Sequence, residues 1–123
     1  MSDVKNFTDL FAWQKAHAFV VEVYLISRKF PKSEMYGLTK QLRDSSVSVV
    51  SNIAEGFGRR SWKEKLQFYN IARASLAEAQ SQILVARDIN YMLKEEASSL
   101  LSKSEEAYKL LNSLMSTVVK VYH

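Results

Sequence analysis

Only two residues offer an imidazole for acid–base or metal chemistry, His17 and His123. A carboxylate di-metal site in a helix bundle needs paired Glu-x-x-His motifs, because glutamate and histidine three apart face the same metal from one helix. The residues three before the histidines are Gln14 and Lys120, so that site is excluded. Cysteine is absent, which removes thiolate nucleophiles, thiolate metal sites and disulfides. A Ser-His-Asp triad would have to use His17, which falls on an apolar helical stripe and is expected to be buried or interfacial, held by one hydrogen bond. There is no P-loop and no Gly-x-Ser-x-Gly. The Gly56-Phe57-Gly58 pair follows a predicted helix instead of a strand and lacks a third glycine, so it is no dinucleotide fingerprint. These absences predict a protein that is not an enzyme and holds no cofactor and no metal.

Binding chemistry is better represented. The chain carries 17 Lys+Arg against 13 Asp+Glu, a net +4. The excess gathers in Arg59-Arg60-Ser61-Trp62-Lys63-Glu64-Lys65. That segment opens a predicted helix, where four cations oppose the helix dipole at a cost of about 0.3–1 kcal/mol each. Glu55, at the negative end of the preceding helix, is equally misplaced. Two readings are open. In one, Arg59 or Arg60 pairs with Glu55 and ties the two helices together. In the other, Arg59, Arg60, Lys63 and Lys65 contact phosphates, with Trp62 available for base stacking and Arg73 next in line. Asn52 and Glu55, one turn apart, together with Gly56 and Gly58 are assigned to organising this junction. Lys29 and Lys32 sit on the favoured side of a helix C-terminus and need no further role, while Glu105-Glu106 reads as a solvated face.

Positioning such a loop requires long elements on both sides, and the turn residues supply them. In 123 residues there are 3 Gly and 1 Pro, where average usage gives about 9 and about 6. Too few remain for a β-sandwich or barrel. Four helices are predicted, at about 8–30, 33–55, 61–89 and 94–121. Thr8 is the expected cap of the first and Pro31 its stop. The second starts at Ser33 or Leu38, with the dense serines Ser45, Ser46, Ser48 and Ser51 marking close helix approach, and with Gly56 and Gly58 as left-handed stops. Ser61 and Glu64 form a capping box for the third, whose core row is Tyr69, Ala72, Leu76, Ala79, Ile83 and Ala86. Asn90 replaces glycine as its left-handed stop. The fourth repeats Ala97, Leu101, Ser104, Tyr108, Leu111, Met115, Val118 and Tyr122 in a 4-3 rhythm, with Leu100, Ala107, Leu114 and Val121 beside it. Short loops between such helices predict an all-α antiparallel up-down four-helix bundle, one domain spanning 1–123.

Three of these helices carry two apolar stripes where a small bundle needs one. Phe11, Trp13, Phe19, Tyr24 and Tyr108 overfill a narrow core, so a homo-oligomer, a closed ring or dimer, is expected. Apolar runs reach only four residues, as in Ala18–Val21, against about 20 for a membrane span. A soluble, cytoplasmic chain with no membrane partner is expected.

The residues Leu10-Phe-Ala-Trp13-Gln-Lys-Ala16, Val23-Tyr24, Phe30-Pro31, Tyr36-Gly37-Leu38 and Gln41-Leu-Arg43 resemble one family. So do Ser48-Val-Val-Ser51-Asn-Ile-Ala-Glu-Gly56-Phe-Gly58-Arg59, Phe68, Ala72-Arg73, Ser75-Leu76 and Glu78. The chain is similar to the four-helix-bundle proteins of 23S ribosomal RNA intervening sequences, typically encoded in insertions within bacterial large-subunit ribosomal RNA genes. The likeness is close over about residues 7–93 and one of pattern in the last helix. It implies an antiparallel bundle assembling as a homopentamer, and kinship with the basic accessory proteins of diversity-generating retroelements, which engage RNA and a reverse transcriptase. Asp44 stands where a second arginine is usual and Ala74 where glycine is usual. The expected function is a non-enzymatic oligomeric bundle with RNA as its charged partner, or alternatively a protein–protein adaptor that binds no nucleic acid.

Overall fold

The computed structural model describes residues 4–122. Four α-helices follow one another: α1 (Phe11–Ser27), α2 (Leu38–Gly58), α3 (Trp62–Asp88) and α4 (Lys94–Tyr122). Short 3-10 turns at Phe7–Asp9 and Lys32–Glu34 precede α1 and α2. Each helix packs on its neighbours in sequence, and α1 also packs on α4, closing a square. The side-chain pairs show that the α2–α3 and α3–α4 seams are antiparallel, since partners rise along one helix as they fall along the next. Between α2 and α3 these are Ser45–Gln82 and Ser48–Ser75. Between α3 and α4 they are Gln80–Ser104 and Arg73–Asn112. This is the all-α, four-helix architecture read from the scarcity of turn residues.

The α2–α3 seam is built from small and polar side chains. Ser45 Oγ donates to Gln82 Oε1 at 2.6 Å, and the Ser48 and Ser75 hydroxyls share a 2.8 Å bond. Ser46 turns back to the Arg43 carbonyl at 2.9 Å. Buried hydroxyls are tolerable only with such partners, since an unmade hydrogen bond costs about 1–3 kcal/mol. At the lower end of the seam Gly56 lies against Tyr69. A Cβ built there would stand 2.6 Å from Tyr69 Cε1 and 3.2 Å from Phe68 Cβ. The expected α3 row (Tyr69, Ala72, Leu76, Ala79, Ile83, Ala86) is buried throughout. Leu42, Val49 and Ile53 of α2, Phe19 and Val23 of α1, and Leu100 and Leu111 of α4 complete the core.

Polar ties fix the other seams. Along α1–α4, Lys15 pairs with Glu106 at 3.6 Å, Glu22 with Lys103 at 2.5 Å, and Lys29 with Glu96. Lys29 therefore has a partner beyond the helix end, and Glu106 is more than a solvated face. At the upper end, Glu34 joins two loops: Oε1 accepts from the Leu38 N–H at 3.0 Å, and Oε2 from the Tyr91 hydroxyl at 2.8 Å. Those two bonds hold the Glu34 carboxyl below its ordinary value of 4.5.

Several boundaries differ from the sequence reading. Asn6, not Thr8, caps the N-terminal turn: its Oδ1 accepts from the Thr8 N–H at 2.9 Å while Asp9 reaches back to the Asn6 N–H at 3.1 Å. The cap serves a 3-10 turn, and α1 starts only at Phe11. It ends at Ser27, three residues early, because the chain tightens into i→i+3 bonds ahead of Pro31. Neither Gly56 nor Gly58 is left-handed; no described glycine has positive φ. Both are helical, so α2 runs to Gly58, and Gly56 serves close approach instead of stopping the helix. Asn90 does take the left-handed conformation, at φ 66°, and Tyr91 N–H then reaches the Ala86 carbonyl at 2.8 Å. His17 is exposed and stacks on Trp13, ring centres 4.8 Å apart. His123 lies outside the described residues. Of the expected surplus aromatics, Phe19 is buried, while Phe11 is 70% and Tyr24 40% exposed.

Two measurements check these contacts. Gly56→Ala should destabilise the fold by about 1–3 kcal/mol in denaturant unfolding, as overpacking against a buried ring does. Gly58→Ala, which meets nothing within 4 Å, should be neutral or stabilising by up to about 1 kcal/mol. The lowered Glu34 carboxyl contributes stability that is complete above its ordinary pKa and lost as pH falls through its folded one. Glu34→Gln should therefore give a shallower decline in stability below pH about 4.5.

Candidate nucleic-acid interface

The junction of α2 and α3 brings the predicted site residues together but sorts them into two groups. Arg59 follows α2 in an extended conformation, φ −80° and ψ 148°, and turns the chain toward α3. Its guanidinium lies 2.7 Å from Glu55 Oε2, 3.6 Å from Glu64 Oε1, and 4.6 Å from the centre of the Phe68 ring. One side chain thus neutralises the misplaced Glu55 and reaches the first turn of α3. Ser61 caps that helix, its hydroxyl accepting from the Glu64 N–H at 3.4 Å. Glu64 reaches Arg59.

Lys65 also faces inward. Its ammonium donates to the carbonyls of Phe57 at 2.8 Å and Gly56 at 3.4 Å at the end of α2, the latter also accepting from the Arg59 N–H at 3.2 Å. Burial pushes the Lys65 amine below its ordinary value. A lysine, not a left-handed glycine, closes α2. Arg73 bridges helices, with Nη1 to Asn112 Oδ1 at 2.9 Å and Nη2 to Asn70 Oδ1 at 2.8 Å. Asn52 bonds the Ser48 carbonyl one turn back at 2.8 Å and stays within α2.

Arg60 and Lys63 form the outward group. Both are exposed, and neither has a carboxylate partner among the described residues. The Lys63 ammonium lies 5.7 Å from the centre of the half-buried Trp62 ring. Arg59 and Lys65 therefore build the loop, and Arg60 and Lys63 are the charges it presents. Charge counting could not separate them, because the difference lies in which cation the chain turn folds back upon the α2 carbonyls.

Sequence reasoning passed over one cationic group, Arg28, Lys32 and Arg43, at the opposite end of α2. The signal for it was present as basic residues spaced around Pro31. The favourable helix dipole was enough to account for Lys32 on local grounds alone.

Among the described residues no three His, Cys, Asp or Glu side chains are grouped to hold a metal, and no helix is long and apolar enough to cross a membrane. The fold and site define a four-helix bundle with a basic junction between its second and third helices. The chain belongs to the 23S rRNA-intervening sequence protein family, whose model matches residues 8–113. A solved relative in fold is a protein of unknown function from the S23 ribosomal protein family of Bacteroides thetaiotaomicron. It aligns with a TM-score of 0.78 and 23% identity, over 85% of this chain and 97% of that one. No curated protein matches the chain.

The division of labour within the loop has a measurable consequence. Arg59→Ala should lower unfolding stability by about 0.5–1 kcal/mol, the scale of an exposed ion pair with an added ring contact. Arg60→Ala should stay within about 0.5 kcal/mol of the wild type in the same thermal or denaturant titration.

Proposed function

We propose that the protein is a non-enzymatic, oligomeric four-helix bundle that binds RNA through the α2–α3 junction and acts as a scaffold there. The observation that carries this reading is the outward pair, Arg60 and Lys63, with Lys63 set over Trp62. Unpaired cations beside an aromatic face suit a flexible phosphate chain with bases available for stacking. The inward pair, Arg59 and Lys65, holds the loop so that those charges are presented on a rigid base. Membership of a family named for an RNA insertion supports an RNA partner. The distant likeness to retroelement accessory proteins belongs to the same proposal, as does a cytoplasmic location.

Oligomerisation is the second part of the reading. A groove of about 510 Å³ runs between the start of α1 and the second half of α4, lined by Leu10, Phe11, Leu110 and Leu114. Val21 and Leu25, one turn apart on α1, are 45% and 50% exposed. Apolar surface of this kind supports self-assembly, with a homopentamer as the proposed form. The same surface is what a protein-directed adaptor would use, and that reading predicts no nucleic-acid affinity.

One set of measurements separates them. Binding to single-stranded RNA should weaken with salt. The log–log slope should fall by about 0.7 for each phosphate no longer neutralised in Arg60→Ala and Lys63→Ala. Sedimentation should give a multiple of the 14.1 kDa chain at micromolar concentration. Oligomers with no salt-dependent RNA affinity would instead establish the adaptor.

A further inference from the structure

A second cationic site lies at the other end of α2, roughly 30 Å from the junction loop by the length of a 21-residue helix. Where α1 gives way to α2, a pocket of about 190 Å³ is lined by Ser27, Arg28, Lys32, Thr39 and Arg43, with Phe30, Pro31 and Met35 as its apolar part. Three of these side chains are cationic and none is acidic. Among the described residues, Arg28, Lys32 and Arg43 have no ion pair. The nearby acids are committed elsewhere: Glu34 to the Leu38 N–H and the Tyr91 hydroxyl, Asp44 to Lys40 at 2.5 Å.

Arg43 is held in place for a role of this kind. Its Nε donates to Ser27 Oγ at 2.8 Å, and its guanidinium lies 4.7 Å from the centre of the Tyr24 ring. Those contacts use one N–H and one face and leave the terminal nitrogens for a ligand. Thr39 supplies an independent observation. It is 6% exposed, and its hydroxyl is shielded from solvent with no hydrogen-bond partner among the described residues. A buried hydroxyl without a partner is costly. Helical threonine divides between two χ1 rotamers, so the hydroxyl can turn to a ligand in the pocket that the side chain already lines.

We propose that this corner is an oxyanion site that takes a phosphate group, held by Arg28, Lys32 and Arg43 and by the Thr39 hydroxyl. The site is distinct from the junction loop and does not depend on the RNA reading. Its phosphate comes either from a small free phosphate or from a nucleic-acid backbone, and the experiment separates the two.

Equilibrium dialysis with labelled inorganic phosphate should show saturable binding, with the Thr39 and Arg43 backbone amide resonances shifting in step. The exposed pair Arg28→Gln with Lys32→Gln should weaken that binding by at least about tenfold, the scale of losing charge-assisted hydrogen bonds. Thr39→Val, which keeps the side-chain shape, should weaken it severalfold and leave circular dichroism and unfolding unchanged or improved. Competition by a short RNA assigns the phosphate to a backbone; binding unaffected by RNA assigns it to a small free phosphate. Absence of saturable binding, or full binding in the Arg28→Gln, Lys32→Gln variant, overturns the site. Arg60→Ala should leave phosphate binding here unchanged, so failure at one end of α2 is not failure at the other.

Discussion

The close approach of α2 to α3 is the constraint on which the bundle depends. Two helices can come this near only if the facing side chains are small or hydrogen-bonded, and both conditions hold along the seam. Gly56 gives room to the Tyr69 ring, while Ser45 and Ser48 exchange hydrogen bonds with Gln82 and Ser75. Those bonds are directional where apolar packing is not, so they set how far one helix is displaced along the other. Everything at the lower end inherits that setting. The carbonyls of Phe57 and Gly56 lie within reach of Lys65, and Tyr69, one turn further on, is seated against Gly56.

The basic loop follows from the same geometry. Cations near a helix N-terminus are unfavourable taken singly, and the junction resolves this by giving two of them acceptors. Arg59 lies between Glu55 and Glu64, and Lys65 caps the helix before its own. What looked like an electrostatic fault in α3 is a repair of the C-terminus of α2. The charges left over are Arg60 and Lys63, which stay exposed on the outer side of the loop.

Most of the fold was legible from the sequence because helical periodicity and stop residues are local signals. The α3 core row and the Asn90 turn are cases where spacing and residue type sufficed. Glycine misled, because the same residue serves two physical ends. Left-handed backbone and close packing both favour it, and only the neighbour's position, here the Tyr69 ring, tells which applies. The candidate site was half legible. A cluster of cations is visible in one dimension, but whether each meets a carboxylate, a carbonyl or water depends on the turn of the chain. Arg28, Lys32 and Arg43 escaped notice since they converge only when α1 and α2 fold against each other across Pro31.

The α1–α4 seam carries a further implication in its order of signs. Along α1 and the turn after it the paired residues fall at seven-residue steps, Lys15, Glu22 and Lys29, and so read plus, minus, plus. Their partners Glu106, Lys103 and Glu96 read minus, plus, minus. Each pair has an exposed lysine and contributes little by itself. Slippage by one heptad is the error that a repeating apolar face would otherwise forgive. Here a slip of seven residues would set Glu22 toward Glu96, replacing attraction with repulsion. The alternation therefore acts as a vernier, a coarse apolar scale read against a fine ionic one, and it disfavours the displaced register of the closing helix.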